Sequence, residues 1–316
     1  MAKINAKKPK LLLALSELFT LVDKQQDEYK HLEFAKIAEQ CGFDGVFVSE
    51  HVVMGPSANA NGMAANPREF VLPHMQDPAT PWPSPLIKLA AMAGATETIR
   101  ILSLALLAPL RNPIHLAKEI ATLDLISRGR LTVLPTVSWH QEEYKALQIP
   151  FNERGKRLDE HLAIWHKLWR ETPVTFAGDF YQFNDVYFEP KPYNDVPKLW
   201  FGGGELNEKV INRIVNYGSG FMPAFFPAKG DFDGLAAAMQ SAGRSFDNFE
   251  LTTWLVPEFT DETSVGDFDK TLDQQIEAIV DVGYTHIGIK PSCFIDDVDQ
   301  MGNFCEHIVK RLDSYF

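Results

Sequence analysis

Residues 99–139, IRILSLALLAPLRNPIHLAKEIATLDLISRGRLTVLPTVSW, constrain the fold more than any other stretch of this chain. A buried strand, a helix and a second buried strand follow one another there, which is one βαβ unit of a parallel sheet. Ile99 to Leu107 is almost uninterrupted apolar sequence, as expected of a strand covered on both faces. The strand ends at Ala108 and Pro109, and a polar turn with Arg111, Asn112 and Pro113 follows. Pro113 suits the first turn of a helix, where no amide hydrogen is needed. The pattern predicts a helix to about Ile126, a stop near Gly129, and a strand again over Leu131 to Leu134.

The same alternation runs along the whole chain. Candidate strands are Leu11 to Leu15, Asp44 to Ser49, Ile99 to Leu107, Arg130 to Leu134, Lys198 to Phe201, Gly220 to Met222, Glu250 to Leu255 and Thr285 to Ile289. Helical patterns lie between them, clearest at Glu28 to Gln40, Ile87 to Ala95, Glu153 to Trp169, Glu205 to Tyr217, Phe232 to Ala242, Phe268 to Val282 and Val298 to Asp313. Eight strand–helix pairs predict an α/β fold, a (β/α)8 TIM barrel forming one domain over residues 1–316. An open doubly wound sheet would alternate in the same way, and the count favours the barrel. Two segments interrupt the rhythm as insertions after strands 2 and 4: Val52 to Pro85, rich in Pro, Asn, Gly and Met, and Thr175 to Pro197, an aromatic hairpin. Long insertions after barrel strands usually shape the mouth of the active site.

Composition excludes several classes. The net charge of −12 and the lack of a Lys/Arg cluster argue against nucleic acid or an anionic membrane as partner, leaving small molecules. No apolar run reaches the ~18 residues of a membrane span, and the apolar run after the basic start reads as the first strand rather than a signal peptide. The three cysteines, Cys41, Cys293 and Cys305, have no CxxC spacing, so neither a disulfide framework nor a zinc knuckle is expected. A cytoplasmic location fits that usage.

Ser49, Glu50 and His51 fall at the C-terminal end of the second strand, where barrel enzymes place catalytic groups. A histidine there can move protons near neutral pH, or it can simply hydrogen-bond its neighbours. Gly202, Gly203 and Gly204 run into a helix, offering backbone amides and a helix N-terminus to an anion, although glycines at a strand-to-helix turn also serve plain turn geometry. His140, Gln141, Glu142 and Glu143 resemble a metal cluster, but adjacent side chains point in different directions, and an acidic helix start is the better reading. No metal site is therefore expected. A metal-dependent barrel hydrolase built on His51, His74 and His140 would demand stoichiometric metal.

These residues also carry a resemblance. GFDGVFVSEHVV, LRNPIHLAKEIATLDLISRGRL, the turn from Trp139 to Tyr144, FNERGKRLDE, and LWFGGGELNEKV with GSGFMP resemble, in order, the bacterial luciferase-like oxidoreductases, and most of all the subgroup dependent on the deazaflavin coenzyme F-420. The resemblance implies that His51 faces the flavin or deazaflavin ring in a proton-transfer role. It implies that Leu106, Leu107 and Ala108 carry a non-proline cis peptide supporting the ring, and that Thr136, Val137, Ser138 and Trp139 approach the cofactor tail. Gly203, Gly204 and Asn207 then form a phosphate-binding turn, with Arg157, and also Arg154, as its basic partner. One departure stands out: where the family loop reads Gly-Val-Gly-any-Gly-Trp, this chain has Leu134, Pro135, Thr136, Val137, Ser138 and Trp139, with every glycine replaced. Glycine permits close approach and positive φ, so the change bears on cofactor contact. The implied activity is a flavin-dependent oxidoreductase. It oxygenates a small organic substrate with reduced flavin mononucleotide (FMN), or transfers hydride with coenzyme F-420. A separate flavin reductase and a homodimer are implied as well. The rival, motivated by the missing glycines, is a degenerate, non-catalytic flavin-binding barrel.

Overall fold

The computed structural model describes residues 3–16, 27–70, 72–224 and 230–316. Eight parallel strands close into a barrel: β1 (Lys10–Ala14), β2 (Gly45–Val48), β3 (Arg100–Leu107), β4 (Leu131–Thr136), β7 (Lys198–Gly203), β8 (Gly220–Pro223), β9 (Glu250–Trp254) and β10 (His286–Ile289). The circuit runs β1-β10-β9-β8-β7-β4-β3-β2. Closure is sealed by β1, which pairs with β10 at Leu11↔Ile287 and with β2 at Leu13↔Val46. Leu12, Phe47, Leu102, Leu104, Leu134 and Trp200 fill the interior, so the barrel is a packed core and not a pore.

Helices α1 (Glu28–Cys41), α2 (Pro85–Ala95), α3 (Pro113–Ile126), α5 (Arg154–Arg170), α6 (Glu208–Tyr217), α7 (Asp233–Ser241), α8 (Phe268–Val282) and α9 (Met301–Asp313) surround it, with a short α4 (Gln141–Ala146) following β4. α3 begins as its sequence predicts, with Pro113 in the first turn and Asn112 accepting from the Ile114 amide at 2.9 Å. α5 buries Leu158, Leu162, Trp165 and Trp169 at helical spacing, and its two indole N–H groups donate to Pro113 O and Ala117 O of α3. α6 starts three residues later than the pattern suggests, because Asn207 caps it. Among the described residues no helix is long and apolar enough to cross a membrane.

The two insertions behave differently. The aromatic hairpin, β5 (Val174–Ala177) and β6 (Gln182–Val186), packs against α5, where the Glu160 carboxylate accepts the amides of Asp179, Phe180 and Tyr181. The described residues of 52–84 contain one short 3-10 turn and run from the end of β2 across the C-terminal rim to the segments after β9 and β10. There Asn66 donates to Asp261 O and Ser264 O, and the buried Lys290 ammonium donates to Glu69 O.

The N-terminal rim is closed by charge. The Arg100 guanidinium donates to both oxygens of Glu250 at 3.0 and 3.1 Å, to Asp44 at 3.1 Å and to Thr132. His286 lies 3.2 Å from Asp44. Burial would raise both carboxylates, but the His286 hydrogen bond, together with Arg100 and Lys10, holds Asp44, and Arg100 with Lys198 holds Glu250, below the usual carboxylate range. Burial lowers His286 below an ordinary histidine, and on α5 it lowers His161 to about 3. The signs agree. The unfolded chain binds more protons than the folded one as pH drops through the ordinary histidine value of about 6.5, and again through the carboxylate range near 4. The melting temperature is expected to fall progressively from about pH 6.5 downward, and a flat profile between about pH 6.5 and 5 would show that the buried histidines do not contribute.

Candidate active site

At the opposite rim, β2 delivers Glu50 and His51. Glu50 fastens the strand: its carboxylate, 2% exposed, accepts the Leu107 amide at 2.7 Å and forks onto the Arg111 guanidinium. This ties the end of β2 to the end of β3, so the next residue, His51, leaves a rigid platform. The His51 ring sits edge-on to Trp82 and Trp139, with centroids at 5.2 and 5.6 Å. His74 packs against Trp139 at 4.7 Å. Trp82 and His74 come from the 52–84 arch, so the insertion walls the mouth, as its position after the second strand predicts.

The loop after β4 supplies what the sequence reading missed. Glu143 is not merely part of an acidic helix start; it is fully buried in the first turn of α4 and points into the rim. Its Oε1 accepts the Val52 amide at 2.7 Å and lies 3.3 Å from His51 Nδ1, and its Oε2 accepts Ser138 Oγ at 2.7 Å. Burial alone would raise the Glu143 carboxyl, but the hydrogen bonds from His51 and Ser138 outweigh it and hold the group below its ordinary value. His140 is also buried, and its Nε2 accepts the Gly55 amide at 2.8 Å, so that nitrogen carries no proton. Burial lowers its pKa, which keeps the ring neutral. Glu142 holds the Ser57 amide and hydroxyl. Glu142, Glu143 and His140 Nε2 are thus committed to protein partners, while the buried His140 Nδ1 has none among the described residues.

Ser138 explains how the loop survives without glycine. It keeps a left-handed backbone, φ 55°, at the position where the family reads Gly. Its hydroxyl both donates to Glu143 and accepts the His140 amide at 3.1 Å, fastening a conformation that glycine would adopt freely. Val137 O accepts the Tyr144 hydroxyl, while Thr136 ends β4 half-buried.

Other expected site residues are placed as follows. Leu106 and Leu107 end β3 and Ala108 opens the next turn, all buried, but the non-proline cis bond lies earlier, at Leu104–Ala105, where the β3–β4 register shifts. Gly203 ends β7, Gly204 is exposed in the following turn, and Asn207 spends its side-chain oxygen on the Val210 amide at the start of α6. Because β7 pairs with β4, this turn and the 136–139 loop are neighbours on the rim. The Arg157 guanidinium pairs with Glu153 and lies over the Phe180 ring at 4.5 Å. Arg154 stacks on Phe151 at 3.7 Å and donates to Phe151 O, leaving a buried Nε without a partner. The i,i+4 spacing of Glu153 and Arg157 brings the two together, whereas the Phe180 ring over the guanidinium comes from the hairpin and is not seen in helical spacing.

A closed parallel barrel that gathers His51, its aromatic wall and the Gly203–Asn207 turn on the C-terminal rim has the layout of a barrel enzyme in which loops carry the chemistry. Residues 12–264 match the luciferase-like monooxygenase family, and the chain belongs to it. It is 32% identical over 132 residues to an FMNH(2)-dependent dimethylsulfone monooxygenase of Pseudomonas putida, covering 40% of this chain and 36% of that one. It is 30% identical over 195 residues to an F420-dependent glucose-6-phosphate dehydrogenase of Amycolatopsis mediterranei, covering 60% and 52%. The matches span less than two thirds of the length of these curated relatives. The crystal structure of a monooxygenase from Streptomyces bottropensis shares the fold, with a TM-score of 0.73 at 18% identity over 97% of this chain and 99% of that one. The family is one of flavin- and F-420-dependent oxidoreductases.

Proposed function

We propose that the protein is an oxidoreductase that binds a diffusible flavin-type cofactor, reduced FMN or coenzyme F-420, and acts on a small organic substrate. The observation that carries this reading is His51 at the rim, its ring flanked by Trp82 and Trp139 and its Nδ1 held by Glu143. The donor set suits both ends of such a cofactor. The backbone amides of Gly204 to Asn207 donate to no acceptor among the described residues and lie at the start of α6, where a phosphate is favoured. The aromatic wall offers an apolar surface to a planar ring.

Bound there, reduced FMN would supply oxygen activation and the deazaflavin would supply hydride. The protein's own part is positioning and water exclusion. His51 Nε2 takes or returns a proton at the reacting substrate, and the 52–84 arch shields it. Thr136, Val137, Ser138 and Trp139 border the cofactor tail, and Leu106 to Ala108 back its ring. A separate flavin reductase, a cytoplasmic location and a homodimer belong to the same reading. The groove between α2 and α3, lined by Leu86, Ile87, Ala90, Leu123 and Ile126, supports the dimer, since Ile87 and Ile126 are 74% and 48% exposed.

Equilibrium binding of FMN in both redox states, and of the deazaflavin, tests the proposal. Preference for reduced FMN selects oxygenation, preference for the deazaflavin selects hydride transfer, and binding of neither overturns the reading in favour of a non-catalytic barrel. Gly204→Asp is expected to weaken cofactor affinity by about 10- to 100-fold, because like charges about 5 Å apart repel by roughly 1–3 kcal/mol between bulk-water and surface dielectrics. Unchanged affinity would remove this turn from the site.

A further inference from the structure

We propose that Glu143 is the positioning residue of His51, holding its imidazole in the Nδ1–H tautomer so that Nε2 presents a lone pair to the pocket. The inference rests on the reading of His51 as the proton-transfer group, and it follows from counting donors. Glu143 Oε1 receives the Val52 amide, which can only donate, and faces His51 Nδ1 at 3.3 Å. An ionised carboxylate has acceptors only, so the proton between Oε1 and Nδ1 must sit on nitrogen. The second oxygen is occupied by the Ser138 hydroxyl. Glu143 is therefore held by three donors, from the end of β2, from the segment after it and from the loop after β4, and has no freedom to swing away.

His51 Nε2, by contrast, has no hydrogen-bond partner among the described residues. Rotation of the ring is opposed by Trp82 and Trp139, which pack edge-on against it. A carboxylate that receives one ring N–H fixes which nitrogen can accept a proton at the other side, and losing such a partner commonly costs 10- to 100-fold in function. The arrangement also assigns a role to the serine that stands where the family loop reads glycine. Ser138 keeps the left-handed turn and spends its hydroxyl on Glu143, so loop shape and carboxylate orientation are set by one side chain.

The test is nitrogen-15 NMR of histidine-labelled protein without cofactor at about pH 8, above the ordinary histidine pKa. The native protein is expected to show His51, assigned by its loss in H51N, as the Nδ1–H tautomer. E143L, which leaves Nδ1 without an acceptor and is checked for folding by circular dichroism, is expected to shift the population toward Nε2–H. A native His51 in the Nε2–H form, or a population unmoved in E143L, overturns the proposal; if E143L does not fold, the native spectrum alone decides. With cofactor and substrate present, E143L lowers kcat by about 10- to 100-fold and leaves KM within a few fold, as expected when only orientation is lost. The tautomer is read without cofactor, so failure to bind flavin leaves this result intact, and the two readings fail separately.

Discussion

Turnover by His51→Ala is expected to fall by about 10²–10⁴-fold, the range that a positioned general acid or base contributes, while cofactor affinity stays within a few fold. The separation follows from the geometry. His51 stands at the end of β2 on a platform that its own side chain does not support, since Glu50 carries the ties to Leu107 and Arg111. The aromatic wall is held from elsewhere: Trp139 packs on His74 and His140 as well as on His51. Removing the imidazole thus deletes proton transfer and leaves a small void at a half-open rim, not a collapsed site. Paired measurement of kcat and of the cofactor dissociation constant checks it. Equal loss in both would make His51 a structural residue.

Arg100→Ala is expected to destabilise the protein by about 3–5 kcal/mol, because it removes one partner from a largely buried ion-pair network and leaves the others in place. Glu250 and Asp44 would each lose their guanidinium donor inside the N-terminal end of the barrel. Lys198 and the Trp200 indole would remain on Glu250, and Lys10 and His286 on Asp44. The network joins the starts of β3, β7, β9 and β10 with the residue before β2, so the loss is shared by the barrel as a whole. Denaturant unfolding measures it. A change below about 1 kcal/mol would mean that water screens these charges as it screens surface pairs. Cofactor affinity should be unaffected, since His51 and the Gly203–Asn207 turn lie at the other end of the strands.

How far the site was legible differs residue by residue. Glu50 and His51 could be read because they follow an apolar strand whose end a barrel places at the active rim. Gly203 and Gly204 could be read because a strand-to-helix turn exposes amides. Glu143 was not legible: in sequence it is the second acid of a helix start, indistinguishable from Glu142, and only helix phase decides that one faces Ser57 while the other faces His51. The partners of Arg157 were half legible, Glu153 by its i,i+4 spacing and the hairpin aromatics not at all. The arginine lies near the start of the right helix, but Glu153 one turn earlier and the hairpin aromatics claim its guanidinium.

The sequence by itself determined the alternation of eight strands with helices, favoured the barrel over an open sheet, and placed a histidine at the end of the second strand. Periodicity and apolar burial are local properties, and a repeated βαβ pattern leaves few ways to close a sheet. Tertiary structure decided which polar groups meet. Glu143 reaches His51 across 92 positions, Glu142 reaches Ser57 across 85, and Lys290 reaches Glu69 across 221. Such pairings depend on helix phase, loop course and competition among donors for each carboxylate, and chain spacing specifies none of these.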